Sequence, residues 1–183
     1  MADPPWHFST YSEDGQDKSP SRHYETQGLD WIERMPVEAL CARDCLLWLW
    51  TPAAFVPAAL GVMQAWGFVF STMGTWCKTT RRGKIAFGTG YVLRNATEHY
   101  LIGRRGAPRI GSKSVRSVIH APAREHSRKP DEAYRDARLL IPEGPAVELF
   151  ARERREGWIS WGNEAEKFPH QADKCLDVGT VCT

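Results

Sequence analysis

Four residues near the start of the chain, Asp3-Pro4-Pro5-Trp6, combine the groups needed to grip a weakly nucleophilic amine. The carboxylate can accept one N–H and the Pro4 carbonyl the other. Two successive prolines restrict the backbone, so that this carbonyl keeps one direction. The Trp6 indole offers a flat face on which a planar ring can stack. Such a grip matters where an amine's lone pair is delocalised into an aromatic ring, because two acceptors would confine it to nitrogen. A reaction at that amine would then depend on orientation and electrostatics, and Asp3 need not act as a true base. The same tetrapeptide also reads as an ordinary proline turn, so the motif by itself leaves both readings open.

These residues need elements to hold them. Cys45 to Trp50 is a short apolar run that suits a buried strand. Pro52 to Trp66 reads as a helix ended by Gly67, and Phe68 to Lys78 as a strand. Residues 29–44 read as a helical region interrupted at Pro36. Glu98 to Gly103 and Val115 to Ala121 read as strands, and a helix opens at Pro130 with acids in its first turn. Ala146 to Phe150 and Trp158 to Trp161 read as the final strands. Two long polar or glycine-rich stretches, residues 9–28 and 81–97, read as loops. Strands alternating with helices predict one α/β domain over residues 1–183, with ligands beyond the carboxyl ends of its strands.

The charge is unevenly spread. From Lys78 to Arg138 there are 15 Lys and Arg against 5 Asp and Glu, although the net charge is only +2. Such a block is a solvated face or a phosphate-contact surface. Five cysteines fit no zinc pattern, and no metal site is expected. Their odd number, with no secretory signal, predicts reduced thiols in a cytoplasm. No apolar run is long enough to cross a bilayer, so no membrane role is expected.

Asp3-Pro4-Pro5-Trp6 resembles motif IV of the amino-group methyltransferases, and the whole chain to about Glu164 resembles the MT-A70 family. The further landmarks come in family order: Leu46 to Trp50; Trp66-Gly67-Phe68; Trp76-Cys77-Lys78-Thr79; Gly88-Thr89-Gly90-Tyr91; Glu98 to Gly103; Ser127 to Glu132; Glu148 to Arg152; and Trp161 to Glu164. The resemblance implies a Rossmann-like methyltransferase fold with a mostly parallel central sheet. It also implies S-adenosylmethionine as methyl donor and adenine N6 in nucleic acid as acceptor. Asp3, Pro4, Pro5 and Trp6 are then the catalytic residues. Asp3, Lys129, Arg152, Asn163 and Glu164 would bind the donor, with Lys129 beside its carboxylate and Asn163 and Glu164 at its adenosine. Taken alone, Lys129 also reads as the flank of a helix start, and Arg152 as a partner for Glu148. Tyr24, Trp76, Lys78, Gly88 and Asn95 fall on or beside the two loops and are assigned to the substrate.

The chain departs from this family at its start. Relatives carry a hydrophobic strand immediately before the motif, and here Met1-Ala2 precede Asp3. The expectation is a sheet lacking that strand, with Met1 internal to a longer reading frame. Arg154 and Arg155 stand where eukaryotic members carry His-Asn. DNA is the expected substrate, in keeping with a compact domain without RNA-binding modules. An RNA adenosine methyltransferase and a catalytically inactive nucleic-acid-binding subunit are the alternatives. A homo- or heterodimer is compatible with the family.

Overall fold

The computed structural model describes residues 1–6, 28–90, 92–125 and 128–168. Helix α1 (Leu29–Glu33) and a 3-10 turn (Val37–Leu40) precede strand β1 (Cys45–Thr51). A second 3-10 turn (Ala53–Phe55) leads into α2 (Val56–Ala65). Strands β2 (Val69–Thr79), β3 (Thr97–Arg105) and β4 (Val118–Pro122) follow, then α3 (Asp131–Leu140), β5 (Val147–Leu149) and β6 (Ile159–Trp161). No described helix is long and apolar enough to cross a membrane.

Strand β1 organises the core because both of its faces are apolar. Alternation along the strand sends Leu47 and Leu49 to one side and Trp48 and Trp50 to the other. The leucine side packs with Val62 and Met63 of α2, with Trp66 just after it, and with Ile32 of α1. The tryptophan side packs with Trp76, Tyr100, Ile119 and Ala133 of α3. Trp48 stacks on Tyr100 with ring centroids 4.0 Å apart. The result is a sheet covered on each face by a helix, the arrangement expected of an α/β chain.

The sheet is mixed rather than mostly parallel. Its four longer strands lie in the order β1-β3-β2-β4. The two longest ladders, β1 with β3 and β2 with β3, are antiparallel, whereas β2 with β4 and β5 with β6 are parallel. The cause is the connection after β2: the chain returns directly as β3, with no crossover helix to bring it round in the parallel sense. Met1 to Asp3 join the two parts of the sheet. Ala2 makes parallel bridges to Leu49 of β1 and to Leu149 of β5. The Ala2 N–H donates to the Trp48 carbonyl at 2.8 Å, and the Trp50 N–H donates to the Ala2 carbonyl at 2.9 Å. This short segment therefore occupies the place where the sequence predicts a missing strand.

Candidate active site

The segment at Ala2, β5 and β6 run in the same sense as β1, so their carboxyl ends share one edge of the sheet. Strand β3 runs against β1 and begins at that edge. Asp3 follows Ala2 there, Phe150 to Arg152 follow β5, and Gly162 to Glu164 follow β6. Lys78 lies near the end of β2, and Glu98 near the start of β3. Edges of this kind gather ligand sites because the loops leave the sheet there.

The acceptor motif is pinned to the end of β1. The Trp6 indole N–H donates to the Trp50 carbonyl at 3.1 Å, and its ring packs against Phe55 at 5.7 Å. Trp6 is only 4% exposed, so its present task is to hold the motif, and stacking a base on it requires its face to be uncovered. The Pro4 carbonyl accepts the Trp6 N–H at 2.9 Å. A carbonyl oxygen has two lone pairs, so one more acceptor position remains.

Asp3 belongs to a chain of alternating charges. The Lys129 ammonium lies 2.9 Å from Asp3 Oδ2 and also binds Glu98 Oε1. Lys78 Nζ lies 2.9 Å from Glu98 Oε2. Lys129 also sits over the Trp50 ring, 5.2 Å from its centroid, and Lys78 over Trp76 at 4.7 Å. Burial by itself would raise the Glu98 carboxyl, but Lys129 and Lys78 override it and hold it down at about 2. For Lys129, burial favours the neutral amine, but Asp3 and Glu98 outweigh it and raise the ammonium above its usual range. Asp3 is thus fixed in place by a cation that is itself fixed by a second carboxylate.

Beside this network lies a cavity of about 450 Å³ lined by Asp3, Pro5, Trp31, Phe150, Ala151, Arg152, Trp161, Gly162, Asn163 and Glu164. Its volume and its mixture of aromatic and polar groups suit a small organic ligand. Two backbone features shape it. Phe150 adopts φ 62°, a left-handed conformation uncommon outside glycine, immediately after β5. At Gly162 a Cβ would lie 2.7 Å from the Ala151 nitrogen, so only glycine allows the two strand ends to approach.

The structure therefore brings Asp3, Arg152, Asn163 and Glu164 to one cavity. Lys129 does not line it and reaches it through Asp3. Arg152 pairs with Glu164 at 3.6 Å, while Glu148 accepts the Tyr134 hydroxyl at 2.5 Å. Arg154 pairs with Glu166 at 2.6 Å and Arg155 with Asp131 at 2.6 Å. Among the residues assigned to the substrate, Lys78 joins the charge network. Trp76 is buried in the core with its indole N–H on the Ala121 carbonyl at 3.0 Å. Gly88 donates its N–H to the Asn95 carbonyl at 2.8 Å, which folds the loop between them. Tyr24 lies outside the described residues. Sequence reasoning gave Glu98 no role. The available signal was that Glu98 is the sole carboxylate between Lys78 and Arg124.

Comparison with known proteins supplies the remaining context. The MT-A70 family model matches residues 1–164. An N(6)-adenosine-methyltransferase MT-A70-like protein of Arabidopsis thaliana is 32% identical over 168 residues, covering 90% of this chain and 23% of its own length. The N(6)-adenine-specific methyltransferase METTL4 of Mus musculus is 30% identical over 188 residues, covering 93% of this chain and 38% of its own. The type II methyltransferase M.MunI of a Mycoplasma species is 28% identical over 182 residues, covering 89% of this chain and 75% of its own. The chain spans about a quarter of the length of the plant relatives it matches. The family match takes in every strand and helix described above, from Met1 through Glu164, and the chain belongs to the MT-A70 family.

Proposed function

We propose that this domain transfers a methyl group from S-adenosylmethionine to the N6 amine of adenine in DNA. The observation that carries the reading is Asp3, held by Lys129 at the wall of a ligand-sized cavity and followed at once by the Pro4 carbonyl. With Oδ2 engaged by Lys129, Oδ1 is the atom to accept one amine N–H, and the free lone pair on Pro4 accepts the other. Both acceptors are rigid, so little reorganisation is needed when charge develops on the amine.

The cavity fits the donor by its chemistry. Asn163 and Glu164 offer an amide and a carboxylate to hydroxyls or base edges, Arg152 offers a guanidinium to a carboxylate, and Trp31, Phe150 and Trp161 offer apolar faces. When bound, S-adenosylmethionine supplies an electrophilic methyl group. The protein's part is to place the amine in line with it and to exclude water. The amine proton leaves after transfer, so no strong base is required of Asp3.

DNA is favoured because M.MunI, the relative above matched over most of its own length, is named a type II methyltransferase. The plant relatives, named adenosine methyltransferases, support RNA as the second reading. Labelled methyl transfer to mixed-sequence DNA and RNA oligonucleotides tests both. Asp3→Ala is expected to lower the rate by about 10²–10³-fold, the scale on which a positioned polar contact at a reacting atom acts. Transfer to RNA alone overturns the DNA assignment. An active Asp3→Ala protein overturns the role of Asp3.

A further inference from the structure

The loop between β2 and β3 exposes large apolar side chains where a solvated turn would carry none. Phe87 is 81% exposed and Val92 84%, with Ile85 and Leu93 also exposed. Arg81, Arg82, Lys84 and Arg94 are exposed around them, and residues 79–97 contain no acid. The Arg94 guanidinium sits 5.7 Å from the Phe87 ring.

This loop is a built projection. Its base is tied by the Lys78 N–H on the Ala96 carbonyl at 2.9 Å and the Ala86 N–H on the Lys78 carbonyl at 2.8 Å. A tight turn closes one limb, with the Thr80 N–H on the Lys84 carbonyl at 2.7 Å. A Cβ at Gly88 would lie 2.2 Å from the Asn95 carbonyl oxygen, and one at Gly90 would lie 1.9 Å from that of Leu93. Glycine at both positions lets the limbs close, which presents Phe87 outward. The projection rises from Lys78, whose ammonium is part of the Asp3 network.

Resting on the nucleic-acid reading above, we propose that this loop is the element that opens a duplex, with Phe87 entering the stack vacated by the target adenine. An adenine amine in a base pair cannot reach Asp3, so the base must leave the helix, and the gap it leaves favours an apolar occupant. The cations flanking Phe87 match the phosphates on either side of such a gap. That charge complementarity selects nucleic acid over an apolar protein partner.

The test uses a mixed-sequence DNA duplex, because an extruded adenine leaves an unpaired thymine open to permanganate oxidation. Wild-type protein should create new reactive thymines, and Phe87→Ala should bind the duplex without creating them. Methyl transfer to duplex should fall about tenfold more in Phe87→Ala than transfer to the same sequence as a single strand. Reactive thymines that persist in Phe87→Ala overturn the proposal. So do equal losses on duplex and single strand, or a wild-type dimer that Phe87→Ala converts to monomer in sedimentation. Phe87-dependent thymine reactivity without methyl transfer instead leaves the duplex-opening role standing and overturns the methyl-transfer reading.

Discussion

At the scale of single residues, Asp3 depends on neighbours far away in the chain. Glu98 does not touch the cavity, yet it holds Lys129 and Lys78 together, and Lys129 holds Asp3. Glu98 is therefore a positioning residue. Glu98→Gln keeps the size of the side chain and removes its charge. It should lower kcat by about tenfold through the loosened Lys129–Asp3 pair, with the Kd for nucleic acid little changed. Steady-state kinetics alongside equilibrium binding separate the two. A pH measurement addresses the same group. Its carboxyl titrates at about 2 in the fold against 4.5 ordinarily, so the stability it contributes is fully present above about 4.5 and is lost as pH falls toward about 2. Acid unfolding followed by circular dichroism should be less steep in that window for Glu98→Gln than for the wild type.

At the scale of elements, the tryptophans divide by what their N–H groups do. Trp76 donates to the Ala121 carbonyl of β4, tying that strand to β2. Trp48 is equally buried, but its indole nitrogen has no hydrogen-bond partner among the described residues. Trp76→Phe should cost about 0.5–1.5 kcal/mol beyond the lost packing, the net worth of its hydrogen bond to the Ala121 carbonyl. Trp48→Phe removes an unsatisfied donor and should cost less, as denaturant titration of the two variants will show. The same pair bears on function. If Trp76 acts through the core, as its burial argues, Trp76→Phe should change stability and leave the KM for nucleic acid close to that of the wild type.

At the scale of the whole molecule, the basic residues between Lys78 and Arg138 offset an acidic remainder, and several of them crown the exposed projection between β2 and β3. Binding to DNA should therefore weaken linearly in a plot of log K against log salt, as each neutralised phosphate releases counterions. Arg82→Ala should weaken binding uniformly across sequences and reduce that slope by about one. Fluorescence anisotropy across a salt series measures it. A slope unchanged in Arg82→Ala would remove this arginine from the phosphate-contact surface.

Most of the element order was legible in the chain. The apolar run at Cys45 to Trp50 became β1, the Pro130 helix start became α3, and the terminal apolar runs became β5 and β6. Local patterning suffices there, because periodicity, proline and glycine act within a few residues of themselves. The Asp3-Pro4-Pro5-Trp6 motif and its family were legible for a similar reason: residue types at fixed spacing need no fold to be read. Strand direction was not legible. The reversal of β3 depends on which edge the chain meets after residues 80–96, a long-range choice. Nor could the chain alone separate Lys78, whose charge joins Asp3's network, from Trp76, two residues away and sealed in the core, since successive residues of a strand on one face can still end in different surroundings. Sequence by itself determined the chemistry that Asp3, Pro4, Arg152, Asn163 and Glu164 can offer. Only the tertiary structure decided that Glu98, distant along the chain, would hold Lys129 against Asp3, because Coulomb attraction acts over ångströms in space whatever the separation in sequence.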